Sequence, residues 1–433
     1  MNSDKQTTAC CSSPGLSLSE RIGRDLPRRY RNEQRFQRLG LAAIIIALSF
    51  LVFLFGSIIS SGYSAFRQTY VQLTVTFDKE AFTSENLAAA DYAGMVKSSL
   101  RTMFPAVKGR NDLKNLYKIV SPSASFALLE MVTRNTKLIG STQTVWVLAD
   151  DDVDMLIKGQ LSGEGEESNR RLKDNQLAWV KQLQEQGRIE TRFNTTFFTS
   201  GDSREPEQAG IWGAVMGSFY SLLITLLLSF PIGVMAAIYL EEFAPDNVWT
   251  NIIEVNINNL AAVPSIIFGL LGLAIFINFF GMPRSTPVVG GLVLTLMTLP
   301  VIIIASRASL KSVPPSIREA ALGVGASQMQ TVVHHVLPLA LPGMLTGTII
   351  GMARALGDTA PLLMIGMIAF IVDIPGGFTD PATALPVQIF LWADSPERAF
   401  TEKTSAAIIV LLAFLIFMNA SAVILRKKFE IKW

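Results

Sequence analysis

Six stretches of this chain stay apolar for longer than a helix needs to cross a bilayer, and that limits its fold more than any single motif does. They run from Leu39 to Ile59, Gln208 to Leu240, Val255 to Met282, Thr286 to Ser306, Leu337 to Ile371 and Thr404 to Leu425. At about 1.5 Å of rise per residue, roughly 20 residues span the hydrocarbon core. Backbone groups in lipid must satisfy one another, so each stretch is expected to be helical, with kinks near Pro231, Pro264, Pro300 and Pro361. Half of the residues are hydrophobic and 17% are charged, which excludes an ordinary soluble domain. A net charge of +2 gives no reason to expect a nucleic-acid partner.

The flanks set an orientation. Arg21, Arg24, Arg28, Arg29, Arg31, Arg35 and Arg38 precede the first stretch, and Arg426, Lys427 and Lys428 follow the last. Cytoplasmic flanks collect basic residues, so both termini are expected in the cytoplasm, in agreement with an even number of spans, which puts the two ends on the same side. The first stretch exceeds the 7 to 15 residues of a signal-peptide core and is expected to stay as an anchor. Segment 62–206 then lies outside the cytoplasm. In it Val71, Leu73, Val75 and Phe77 alternate with polar residues, as do Ile189, Phe193 and Phe197, which is the period of half-buried strands. Ser84 to Phe104, Ser121 to Arg134 and Asn169 to Gln186 read as amphipathic helices, with Ser121-Pro122 as a cap and Gly187 as a stop. An α+β domain follows. Its cohesion cannot come from disulfides, since Cys10 and Cys11 both sit in the N-terminal tail and are expected to be reduced there.

Arg354 and Asp358 are the only charges between Gly343 and Ile371. An ionised group at the bilayer centre costs roughly 2.5 to 3.5 kcal/mol on insertion scales, and such groups face a bundle interior or a transport path. Four residues apart, the two are expected on one helix face, partly neutralising each other. Either they form a structural ion pair, or Arg354 offers its planar fork to a passing oxyanion with the Thr359 hydroxyl beside it. Arg307, at the edge of the fourth stretch, either snorkels to headgroups or receives the departing anion. Asn256, Asn258 and Asn259 line the path or satisfy a helix start.

Enzyme signatures are missing. No Gly-x-x-x-x-Gly-Lys-Ser/Thr loop occurs, so no nucleotide site is expected. Asp150, Asp151, Asp152 and Asp154 lack the glycine of a calcium loop and read as a solvated turn. His334 and His335 diverge on a helix, which argues against a metal.

Segment 307–338 carries the most specific pattern. Pro314-Pro315 ends one element, Ser316 and Glu319 have capping-box spacing, and Ala320, Ala321, Gly323 and Gly325 leave a bare surface for close approach by another protein. Glu319-Ala320-Ala321, then Gly325, then Leu337-Pro338 resembles the coupling loop of ABC importer permeases, with His335 where that family has an aliphatic residue. Pro231 to Glu242, Ala262 to Leu270, Gly357 to Leu363 and Leu385 to Phe390 resemble the A-type permeases of bacterial phosphate importers, which often carry glutamate at the position of Asp358. The likeness runs from about Ala209 to the C-terminus and leaves out the segment after the first span.

The resemblance implies a six-helix type I importer permease core over 207–425, preceded by a basic tail (1–38), an anchor (39–61) and the α+β insertion (62–206), and closed by a short tail (426–433). It also implies a cell inner membrane location and phosphate passage by alternating access. The expected partners are a second permease, two ATP-binding subunits that hold ATP and magnesium, an outer phosphate-binding protein and a phosphate-signalling regulator. This chain itself would hold no cofactor. Beside anionic lipid, the basic tail is attracted by roughly 1 kcal/mol per residue. A sulfate or molybdate permease, or a membrane sensor in phosphate signalling, remains the alternative reading.

Overall fold

The computed structural model describes residues 18–79, 82, 87–161 and 171–429. They fall into two compact units, Met1–Ile58 and Ile59–Trp433. The first unit is carried by helix α1 (Leu18–Gly62), which contains the first apolar stretch. The basic tail is therefore helical from Leu18 onward, while Cys10 and Cys11 lie outside the described residues.

The second unit opens with a 3-10 turn, Tyr63–Phe66, and an α+β module. Strand β1 (Arg67–Thr76) alternates faces as its sequence requires, burying Val71, Leu73 and Val75 completely. Around it come α2 (Tyr92–Met103), α3 (Arg110–Tyr117), α4 (Ala124–Arg134), β2 (Thr142–Leu148), α5 (Asp151–Ile157), α6 (Asp174–Glu185), β3 (Ile189–Phe193) and α7 (Thr195–Thr199). The sheet runs β2-β1-β3, antiparallel throughout, with Tyr70 opposite Leu148 and Arg67 opposite Phe193. Leu100, Leu116, Leu128 and Leu183 from four helices close over the buried face of β1. Each such side chain contributes about 1.5 to 3 kcal/mol by leaving water.

Several local expectations change. The helix expected from Ser84 starts at Tyr92, because the Asp91 carboxylate accepts from the Gly94 amide at 2.8 Å; Ser84 itself lies outside the described residues, as does Asn169. Ser121 does not cap α4. Its hydroxyl bonds to the Ser123 hydroxyl at 2.7 Å and to the Glu207 carboxylate, so the helix begins at Ala124. Phe197 lies in α7 rather than in a strand, because Asn194 caps that helix by accepting from the Phe197 amide. Gly187, at φ +67°, ends α6 as its sequence suggests.

The aspartate run is no solvated turn. It starts α5, and Asp154 meets Lys158 at 2.6 Å, which also reaches Glu402 at 3.0 Å in a nearly water-free setting. Next to it the Lys403 ammonium donates to the Ala209 carbonyl at 2.6 Å, and the Gln68 amide donates to the Glu207 carbonyl. This seam fastens the α+β module to the helical part.

That part comprises α8 (Trp212–Ile238) with a π turn at Tyr239–Phe243, α9 (Val248–Ala261), α10 (Ser265–Gly272) with a π continuation to Phe279, and α11 (Pro287–Lys311). After it come α12 (Pro315–Gly323), α13 (Gln328–Thr331), α14 (Leu337–Gly357), α15 (Ala360–Met364), α16 (Leu385–Ala393) and α17 (Ala399–Phe429). Among the described residues five helices are long and apolar enough to cross a membrane, or six if the bent α9–α10 pair is one span. Helix α11 is the centre, with Val289, Val293, Leu294 and Ile302 almost fully buried. Two spans in which only kinks were expected are broken outright. The third bends by 101° between α9 and α10, where Pro264 holds itself and the residue before it away from helical geometry. The fifth stops at Asp358, whose extended ψ of 111° ends α14.

Candidate functional site

Two places on the helical part hold the chemistry that the sequence singled out. The first is the loop between α11 and α14. Pro314, not Ser316, precedes α12, and no side chain caps that helix, so the Ser316–Glu319 capping box does not form. The capping box sits further on. Ser327 and Gln330 bond each other's backbone amides at the start of α13, a signal present in the sequence as Ser-x-x-Gln but passed over there. Between the two helices Gly325 adopts φ +92°, a left-handed turn that glycine takes without a steric cost. A π turn at Val332–Val336 then carries the helix through Leu337-Pro338 without a break, so α13 and α14 form one run.

The loop has a tied side and a bare side. Arg318 donates to Glu242 at 2.7 Å and to the Val313 and Leu310 carbonyls at 2.8 and 2.9 Å, locking α12 to the π turn that ends α8. The Gln328 amide adds a bond to the Glu242 carbonyl. Ala321 packs inward, whereas Glu319, Ala320 and Gly325 face solvent. So do Leu322, Val324 and Met329, at 51%, 86% and 62% exposure. Apolar side chains gathered on an otherwise polar loop mark a contact surface.

Arg307 is neither snorkelling nor free. Its guanidinium is 14% exposed and pairs with Glu254 of α9 and, at 3.4 Å, with Glu241 of the π turn. Neither carboxylate was singled out in the sequence, because the three residues meet only after α9 folds back. The His334 ring donates from Nδ1 to the Gln330 carbonyl at 3.2 Å, and among the described residues neither histidine joins a group able to hold a metal.

The second place lies where the two broken helices meet. Ser265, first residue of α10, donates to the Asp358 carboxylate at 3.0 Å. Gly269 faces Pro361 so closely that an added Cβ would come 2.7 Å from its Cα. Asp358 is thus turned toward α10 and does not share a helical face with Arg354: the helix ends at Gly357, and the expected pairing of the two charges does not occur. Arg354, in the last turn of α14, is exposed and makes no hydrogen bond or ion pair with any described residue. Thr359 follows at the start of α15, half-buried. Interrupted helices at membrane depth are tolerated where they are buried in protein or line a polar cavity, and their free ends are where transporters hold ions.

Family models match both halves of the chain. Residues 229–431 fit the profile of the binding-protein-dependent transport system inner membrane component, and residues 23–167 fit a domain of unknown function, DUF3333. A probable ABC transporter permease protein of Bacillus subtilis, YqgI, is 36% identical over 39% of this chain and 56% of its own length. The phosphate transport system permease protein PstA 1 of Mycobacterium tuberculosis is 30% identical over 51% of this chain and 72% of its own. The chain therefore spans little more than half of the first relative and most of the second. A solved inward-facing MetNI methionine ABC transporter aligns with 51% of the chain and 95% of its own at 18% identity, with a TM-score of 0.38.

Proposed function

The chain belongs to the family of A-type permease subunits of phosphate ABC importers, and from that membership we propose that it moves inorganic phosphate across a bacterial inner membrane. It is a multi-pass membrane subunit without catalytic chemistry of its own. The observation that carries the cargo reading is Arg354, an exposed guanidinium in the last turn of α14, just ahead of the break, with no partner among the described residues. A phosphate held there takes two parallel N–H donors from one planar fork, which a lysine cannot supply. Asp358, held by Ser265, stays out of the way of that contact.

In this reading the termini and the α11–α14 loop lie in the cytoplasm and the α+β module lies outside. Leu322, Val324 and Met329 seat the loop in a cleft of an ATP-binding subunit, and Glu319, Ala320, Ala321, Gly325, Leu337 and Pro338 give it its shape. Arg318 passes the push to Glu242, and Arg307 carries it on to α9 through Glu254. ATP and magnesium reside on two copies of that partner. A second permease completes the pathway, a soluble phosphate-binding protein delivers cargo to the outer face, and a phosphate-signalling regulator reads the complex.

Arg354→Met is expected to abolish labelled phosphate uptake in reconstituted vesicles while leaving subunit assembly and ATP binding unchanged. Normal uptake in that variant would overturn the role of Arg354. Competition by excess sulfate or molybdate separates the cargoes: phosphate uptake undiminished by either supports the phosphate reading.

A further inference from the structure

The chain leaves α1 and approaches α8 through one aromatic and basic corner of the α+β module. The Asn194 amide bonds the Phe66 carbonyl at 2.9 Å, and the Asn194 side chain bonds the Ala65 carbonyl at 3.0 Å, so the two passing segments are stapled together. Phe198 stacks between Phe66 and Phe193, each pair of centroids 5.7 Å apart. Phe197, fully buried, braces that stack edge-on from behind. The outer ring is not covered: Phe193 is 61% exposed and Tyr63 56%.

Two guanidiniums frame the rings. Arg67 lies 5.3 Å from the Tyr63 ring centroid and donates to its hydroxyl at 3.1 Å, with no carboxylate in ion-pair reach among the described residues. Arg192 sits 4.7 Å over the Trp146 ring and meets Glu190 at 2.6 Å, the one acidic partner in the corner among the described residues. Between them opens a cleft of about 560 Å³ lined by Tyr63, Phe66, Arg67, Arg192, Phe193 and Phe198.

The depth of this corner is fixed by its neighbours. Ala65 packs in one cluster with Phe400, Ala406 and Ala407 of α17, and an added Cβ on Gly62 would come 2.8 Å from the Ala406 nitrogen. The corner therefore lies beside the first two turns of an apolar, membrane-length helix. Aromatic rings with polar tips collect at that level of a bilayer, and arginine forks match phosphodiester oxygens. We propose that this corner is a binding site for the headgroup of an anionic phospholipid in the leaflet on the module's side, with Arg67 and Arg192 on the phosphodiester and Phe193 and Tyr63 against the glycerol and the first methylenes of the acyl chains.

The full chain, delipidated in neutral detergent, is titrated with short-chain phosphatidylglycerol, phosphatidylcholine and inorganic phosphate, and bound lipid is counted by native mass spectrometry. Phosphatidylglycerol is expected to bind and phosphatidylcholine to bind far more weakly, with inorganic phosphate failing to displace the lipid. Loss of a charge-assisted contact in Arg67→Gln is expected to weaken phosphatidylglycerol at least about tenfold. Arg67→Lys, which keeps the charge, should retain part of the affinity, and Phe193→Ser should lower it with both guanidiniums intact. Equal binding of the two lipids, or wild-type affinity in a folded Arg67→Gln protein, overturns the proposal. Displacement of the lipid by inorganic phosphate at matching concentration assigns the site to free phosphate and overturns it as well.

Discussion

Glu207 shows how one buried side chain makes the seam sensitive to pH. Burial pushes its carboxyl up to about 7 from the usual 4.5, against the hydrogen bond from Ser121, and Asp150 nearby is raised too, by burial and by Asp151. A raised carboxyl holds its proton more tightly in the folded chain. Its contribution is therefore complete below the unfolded value and is lost as pH rises through about 7. Thermal unfolding midpoints of the wild type should fall between pH 5 and pH 8. Glu207→Gln keeps an acceptor for Ser121 without the charge, so its midpoint should fall less. At pH 8 the variant should be more stable than the wild type by on the order of 3 kcal/mol. A parallel decline in both proteins would place the effect elsewhere, in the aspartates of α5.

Between elements, small residues decide which helices touch. Gly343, Gly347 and Gly351 of α14 face Ser309, Ala305 and Ile302 of α11, and an added Cβ at Gly347 would come 2.2 Å from the Ala305 Cβ. Such four-residue rows let backbones approach where no hydrophobic force drives helices together. Gly347→Val is expected to cost about 1 to 3 kcal/mol by overpacking, read as a lower unfolding midpoint in detergent. Ala305→Gly should restore part of it. If Ala305→Gly gives no relief, the cost arises from a different contact. The positions of the apolar helices were legible because lipid imposes length and composition together, and β1 because its two faces meet different surroundings. Breaks were not legible in the same way. Pro264 was flagged as a kink, yet a 101° fold needs α15 to fill the angle, and Asp358 leaves the helix for Ser265, ninety-three residues earlier in the chain. Period counting assumed that α14 runs on, and so put Arg354 and Asp358 on one face. Helix α3, strand β2 and helix α5 went unread because each is short and its partners lie far off in sequence. Glu241, Glu242 and Arg318 were missed for the same reason, although the basic and acidic residues were in plain view.

At the level of the whole second unit, the α+β module and the helical part behave as one folded piece. Lys158 is 7% exposed and serves two carboxylates, the partly buried Asp154 and the buried Glu402. Removing one member of such a group leaves charge without a partner, at a cost of roughly 3 to 5 kcal/mol. Lys158→Met should therefore loosen the module, seen as faster cleavage by added protease in the segments flanking α5, and adding Glu402→Leu should recover part of the loss. Unchanged cleavage in Lys158→Met would mean that Gln68, Ser121 and Lys403 suffice to hold the seam. Because Glu402 and Lys403 both belong to the first turns of α17, the module grips that helix by its very top. A body that settles on the module consequently holds a handle on the last transmembrane rod, and can twist it without ever reaching into the lipid.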